Sequence, residues 1–472
     1  MKGIHNIKFG VTYEQTFLTE NFQLGVVDPT LNAPCLTLNT ASNPDVPVAG
    51  FTALSQCGPA GYQQNVASNP NAPGSSLYPY FTTDLLPYDL TRGGGLYPFY
   101  GHTDVKELAL YLQDAITKGN WSLNLGIRGD LYNGLTVARQ AEPRLGVAYN
   151  IKQSHTVLNV SYARTLETPF NENLVVSSIG CQFQVIQDLV PCVPAALSPG
   201  FRNEFHAGLQ QAFGKRLVID GEYIWKYTHN GYDFSDLGNT PIFFPIEWHN
   251  SKIPGYAVRA SVPNFHGLTG LVVFSSVAAR FFPPQVGGLG VTVGQNGLPF
   301  RIDHDEKFNQ TSHLQYQPWK QGPWVGFNWR YDSGLVAGAI PFATDTTTPV
   351  NLTGLSADQQ MQAGLYCGKV FPTLTSPLTT CTPSQYGSTR ITIPAPGTEN
   401  DDHNPPRIAP RSLFDVAVGD DNLFHGERYK WSARLTVINI TNKVALYNFL
   451  STFSGTHFVT PRAITGEIGF HF

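Results

Sequence analysis

From Ile464 to Phe472 every even position is apolar or Gly, and the odd positions are small or polar. A period of two means an extended strand with two differently wetted faces. The same pattern recurs along the chain. WSLNLGIRGDLY sets Trp121, Leu123, Leu125, Ile127 and Leu131 against Ser122, Asn124, Arg128 and Asp130. RLVIDGEYIWKY sets Leu217, Ile219, Tyr223, Trp225 and Tyr227 against Asp220, Glu222 and Lys226. VGFNWRYD and KWSARLTVIN repeat it, with Arg330 and Arg434 on the polar side. Aromatic residues gather near the ends of the apolar face.

About fourteen such strands are predicted. They lie near residues 4–20, 98–117, 119–134, 141–152, 154–166, 199–213, 215–230, 253–263, 266–280, 306–318, 323–334, 410–419, 429–440 and 458–472. The connections alternate. Short ones follow Thr117, Lys152, Phe213, Pro263 and Trp319, and mostly long ones occupy about 21–97, 167–198, 231–252, 281–305 and 335–409, with 135–140 a short exception. A soluble sandwich has no reason to gather its long loops at one end, and no internal repeat of the ~40–50 residues of a propeller blade is present. A transmembrane β-barrel has that reason: short periplasmic turns and long extracellular loops. Hydrocarbon offers no water to satisfy backbone N–H and C=O groups, so spanning strands must pair with one another. The predicted fold class is therefore all-β, an antiparallel transmembrane β-barrel with long extracellular loops. Chain parity puts Phe472 at the periplasmic end.

Composition sharpens this picture. Only 14% of the 472 residues are charged and 12% are aromatic, with 45 Gly and 35 Pro. The net charge of −4 carries no basic block, so nucleic acid is not an expected partner. No run reaches the ~20 apolar residues of a transmembrane helix. The opening MKGIHNIKFGVTYEQTF lacks the basic-then-apolar layout of a secretion signal and reads as a strand. Six cysteines fall in three local pairs, Cys35 with Cys57, Cys181 with Cys192 and Cys367 with Cys381, each inside one long loop. This spacing suggests three loop-stapling disulfides in an oxidising compartment.

Candidate chemistry is sparse. RIDHDEK (301–307) is the densest acidic and His cluster, but neighbours on an extended chain point apart, so it reads as a solvated rim and not a metal site. GDDNLFHGER (419–428) lacks calcium-loop spacing and reads as a polar periplasmic turn. The glycine-rich stretches 93–96 and 287–297 do not open helices and read as flexible loops. No GxSxG, HExxH or Ser/His/Asp set is found. No catalytic residue, cofactor or metal is expected. Glu107, Arg128, Asp130, Asp220, Glu222, Lys226 and Arg330 fall on the polar face; they solvate the inside of a wide barrel, or they contact a ligand or plug.

ELALYLQDAITKGNWSLNLGIRGDLYNGL (107–135) resembles the barrel strands of TonB-dependent outer-membrane receptors. So do EPRLGVAYNIKQSHTVLNVSYARTLETPF (142–170) and the closing LTVINITNKVALYNFLSTFSGTHFVTPRAITGEIGFHF (435–472). The nearest flavour is the large type with a carboxypeptidase-regulatory-like extension. The resemblance implies the outer membrane of a Gram-negative bacterium. It implies about 14 strands of a barrel of roughly 22, in a chain that shows no signal peptide, TonB box or plug. A self-closing fourteen-strand barrel is the alternative. Implied partners are outer-membrane lipid, the barrel-assembly machinery, a plug domain with the TonB complex, and a small-molecule or oligosaccharide ligand. Ile468, Phe470 and the terminal Phe472 are similar to the assembly signal of such barrels. A passive porin-like or adhesin barrel is the competing function.

Overall fold

A computed structural model describes residues 4–37, 46–72, 80–190, 193, 195–236, 242–290, 297–338, 340–452 and 455–472. Its backbone is one long antiparallel meander. The strands are β1 (His5–Leu24), β2 (Tyr97–Lys118), β3 (Trp121–Asn133), β4 (Val137–Ile151), β5 (Thr156–Glu167), β6 (Gly200–Phe213) and β7 (Leu217–Asp236). They continue with β8 (Phe243–Phe265), β9 (Leu268–Val277), β10 (Asn309–Tyr316), β11 (Pro323–Asp332), β12 (Arg411–Asp420), β13 (Lys430–Ile438) and β14 (Ala463–His471). Each pairs with its chain neighbour, from β1 through to β14. A spur strand, Arg280–Gly287, continues the pairing along β8 beyond the end of β9. Among the described residues no pairing joins β1 to β14.

Paired residues share a face, so the register carries one side across the sheet. Leu125 pairs with Leu145, Leu145 with Tyr162, Tyr162 with Phe205, and Phe205 with Trp225. This face is aliphatic and aromatic, and it is open: Phe9 is 83% exposed and Ile468 76%. Rings mark its two margins. Trp121 and Tyr149 lie 4.6 Å apart beside the short turns, while Tyr162 and Phe205 (4.8 Å) and Phe205 and Trp225 (5.3 Å) lie further up the strands. The opposite face carries the charges. Arg128 pairs with Glu142 across β3 and β4, and Glu222 faces Gly208 across β7 and β6.

Six short connections gather at one end: 119–120, 152–155, 214–216, 266–267, 317–322 and 421–429. Gly267 shows why the tightest are specific. Its φ of +88° and the Gln317 carbonyl oxygen, 2.1 Å from where a Cβ would stand, admit only glycine. One long loop expected from the sequence, 231–252, is instead mostly strand: β7 runs to Asp236 and β8 begins at Phe243. Pro245 disguises the first part of β8 in the sequence, because proline interrupts a strand pattern.

The remaining connections do not behave as loose loops. The segment between β5 and β6 forms two short helices, α1 (Leu174–Ile179) and α2 (Gln184–Leu189). Helix α1 packs against β1, β2 and β8 together. In a flat sheet β2 and β8 would stand six spacings apart, about 29 Å, far beyond a six-residue helix of about 9 Å. The sheet therefore curls around α1. Val175, Val176 and Ile186 join Phe99, Phe244 and Trp248 in one buried cluster. The connection between β11 and β12 builds a second core around Leu352, Leu365, Ile391 and Ile408, joined by Phe449. Its helix α3 (Ala357–Ala363) starts on a capping box of Ser356 and Gln359. Disulfides join Cys35 to Cys57 and Cys367 to Cys381. Cys181 is also disulfide-bonded, and Cys192 lies outside the described residues.

Candidate functional site

The polar face of the curled sheet, together with the segment seated in its concavity, forms the candidate site. All seven sequence-predicted polar-face residues fall on this face by register, and they divide into separate groups. On β2 to β4, Arg128 grips Asp130 with Nε and a terminal nitrogen, both at 2.8 Å, and lies 4.0 Å from Glu142. Glu107 pairs with Tyr132 on this same stretch of face. Arg144, one alternation from Glu142, reaches it at 3.4 Å. On β5 to β7 the centre is Glu204, which alternation alone left unmarked. It accepts from His206 at 2.6 Å and pairs with Arg202 at 3.3 Å and Lys226 at 3.6 Å. The other ring nitrogen of His206 meets Glu222 at 2.5 Å. Asp220 stands one alternation from Glu222, opposite Gln210 and Arg259. Arg330 reaches Asp332 at 3.8 Å, and Asp332 also holds Arg411 at 3.0 Å. The sequence showed which face would be charged. It did not show which charges meet, because partners on neighbouring strands are set by register.

Above these rows the concavity is filled. The Glu20 carboxylate on β1 accepts from the backbone N–H groups of Val175 and Val176, both at 2.7 Å, and so caps α1. Gly101 on β2 leaves room for the helix: a Cβ there would stand 2.6 Å from Val175. Ser177 donates to the Pro245 carbonyl at 2.5 Å, fastening the far side. The segment thus closes the loop end of the concave face.

Beside it, charged side chains lock the long connections to one another. Asp305 is 1% exposed and accepts from Arg301 (3.1 Å), Arg407 (2.5 Å) and the Ala279 backbone N–H (2.6 Å). The expectation of a solvated rim at 301–307 is therefore corrected at Asp305, which buries its charge against two guanidinium groups. Buried carboxylates need such partners. Asp402 accepts from Arg280 at 2.6 Å. Asp303 meets His304 at 2.5 Å and accepts from Ser451 and the Thr452 N–H. Burial pushes the Asp303 carboxyl up, but the bonds from His304, Ser451 and Thr452 outweigh it, and it titrates below the usual range. The bond to Asp303 holds His304 above its ordinary value. Among the described residues no cluster of three or more His, Cys, Asp or Glu side chains has metal-binding geometry.

In the turn at 421–429, Asn422 and Gly426 exchange two hydrogen bonds at 3.0 Å, and Asp421 accepts from Trp324 Nε1 on β11 at 3.1 Å. Of the glycine-rich stretches, Gly93–Gly95 forms an ordered turn, with Gly94 N donating to Asp89 O at 2.8 Å; residues 291–296 lie outside the described residues. Ile468 and Phe470 lie on the apolar face of β14, where the Phe470 ring centroid stands 4.9 Å from that of Trp431; Phe472 follows the strand, its ring centroid 6.1 Å from that of Phe470.

No protein-family model matches the chain, and no curated protein matches it in sequence. Among solved structures it is similar to the ferric-catecholate import receptor Fiu of K12 E. coli in its closed form. The TM-score is 0.53 at 13% identity, covering 99% of this chain and 52% of that one. It is also similar to the outer membrane transporter YddB of Escherichia coli (TM-score 0.48, 11% identity, 79% and 46% covered). The FrpB iron transporter of Neisseria meningitidis is a further match (TM-score 0.47, 14% identity, 78% and 45% covered). The chain spans about half the length of the receptors it matches. The fold is that of an outer-membrane β-barrel.

Proposed function

We propose that this chain is the barrel wall, or a sector of it, of a TonB-dependent receptor that takes up a scarce nutrient across the outer membrane of a Gram-negative bacterium. The observation that carries this reading is the two-faced meander. One face is predominantly apolar with rings at both margins, the other is charged, and the large connections all leave from one end. In hydrocarbon the free edges of β1 and β14 would leave unpaired backbone groups. Further strands pairing with both edges complete the cylinder, and a plug driven by the TonB complex works inside it. The charged rows around Arg128 and Glu204 then face the plug or a passing ligand. Fiu is a ferric-catecholate importer; for this chain an iron chelate, another small molecule and an oligosaccharide all suit a wet, charged interior. The chain does no covalent chemistry in this reading.

A passive porin is the second reading, and the filled concavity speaks against it: the α1 segment occupies space that an open pore leaves to water. The test is insertion of the purified chain into liposomes. The reading expects detergent-dependent solubility, heat-modifiable gel migration and little steady conductance. Steady single-channel conductance would favour the porin. A monomer soluble without detergent would end both readings.

A further inference from the structure

The apolar face is not uniform. Between β3 and β8 it holds a groove of about 770 Å³, walled by Trp121 and Tyr149 on one side and Tyr223 and Tyr256 on the other. The register explains it. Ala207 pairs with Val160 and Tyr223, and Gly221 with Leu209, so two small residues fall between large ones and sink the floor. A second hollow of about 420 Å³ continues it toward Tyr162, Phe205 and Trp225, sharing Val160, Ala207 and Tyr223 with the first. From the Tyr149 level to the Leu145 level the strands rise by four residues, about 13 Å. At the ~40° tilt of barrel strands this covers about 10 Å of depth, within one leaflet of a hydrocarbon core ~30 Å thick.

The lower end of the groove meets a row of cations. Lys118 pairs directly with Trp121 at the end of β2. Lys152 lies in the next short turn, and Lys215 and Arg216 lie in the one after. All four are exposed, and these turns contain no acidic residue. The nearest carboxylate on the apolar face, Asp114, is occupied by His5 Nδ1 at 2.7 Å and by the Asn6 N–H at 3.1 Å. Among the described residues no ion pair engages Lys118, Lys152, Lys215 or Arg216.

Resting on the membrane-barrel reading above, we infer that this groove is a binding site for an anionic phospholipid of the periplasmic leaflet. One acyl chain lies over Ala207 and Gly221 between the rings, and the phosphate sits in the positive field of the row formed by Lys118, Lys152, Lys215 and Arg216. Charge complementarity selects the head group, and the aromatic walls select for a chain lying along the strands.

The test is native mass spectrometry of the purified full chain offered equimolar phosphatidylglycerol and phosphatidylcholine in detergent. The site expects retained phosphatidylglycerol to exceed phosphatidylcholine, with each neutralised cation costing about fivefold. Lys118→Gln, Lys152→Gln, Lys215→Gln and Arg216→Gln together abolish the preference, and Ala207→Phe, which fills the floor, lowers retention of both lipids. The turn variants alter only exposed side chains, so heat-modifiable migration should persist. Equal retention of the two lipids by the unaltered chain, or no response to either set of variants, would overturn the site. So would lipopolysaccharide displacing phosphatidylglycerol, since that amphiphile belongs to the opposite leaflet. A chain soluble without detergent that retains no lipid would instead overturn the underlying membrane reading.

Discussion

His304 and Asp303 carry the clearest single-residue prediction. Their 2.5 Å contact raises the imidazole above its ordinary 6.5 and outweighs the burial of the carboxylate. A raised histidine contributes stability fully below its unfolded value and loses it as pH climbs through the folded value. His304→Gln should therefore cost most below the ordinary histidine value of 6.5 and progressively less as pH rises above it, read as the difference in melting between variant and parent. The ring is half exposed, so solvent screening limits the effect to ~1 kcal/mol. A difference that grows with pH would refute the assignment. Residue-scale features of this kind were invisible to alternation. RIDHDEK looked like a wet cluster because its carboxylates adjoin one another in sequence, whereas Asp305 finds Arg407 from a connection about a hundred residues later. Glu204 differs: Arg202 and His206 stand two residues either side of it on β6, a period-two pattern already present in the sequence, and only Lys226 comes from β7.

At the scale of elements, the segment between β5 and β6 is held chiefly by one carboxylate and one buried cluster. Glu20→Gln keeps the volume but removes the charge, and its amide NH₂ faces one of the two N–H donors it should satisfy. A hydrogen bond to a charged acceptor contributes ~1.5–3 kcal/mol. Amide exchange at Val175 and Val176 should accelerate by about tenfold or more, measured by hydrogen–deuterium exchange, while exchange in β3 and β4 stays unchanged. Unaltered exchange in α1 would mean that Val175, Val176 and Ile186 hold the helix without the cap. The strands themselves were legible. Each of the fourteen expected segments overlaps a strand, since period two reports directly on a sheet wetted differently on its two sides. Strand length was less legible. β7 and β8 run beyond their expected ends because, past the apolar band, pairing continues without alternation to mark it.

At the scale of the molecule, the proposal makes the two faces of the sheet chemically distinct environments. Single cysteines replacing Leu123 or Val160 should resist a charged maleimide in liposomes, and those replacing Asn124 or Ser161 should react, each pair being neighbours on one strand. Equal labelling at all four positions would remove the membrane from the picture. Composition and alternation determined the antiparallel strand segments, the two faces and the side from which long connections leave, because each depends only on local spacing along the chain. The curl of the sheet around α1, the closing of its mouth and the pairing of Asp305 with Arg301 and Arg407 were decided only by tertiary structure. So was the hollow over Ala207 and Gly221. They join segments far apart in sequence, and no local pattern encodes the register that brings them together.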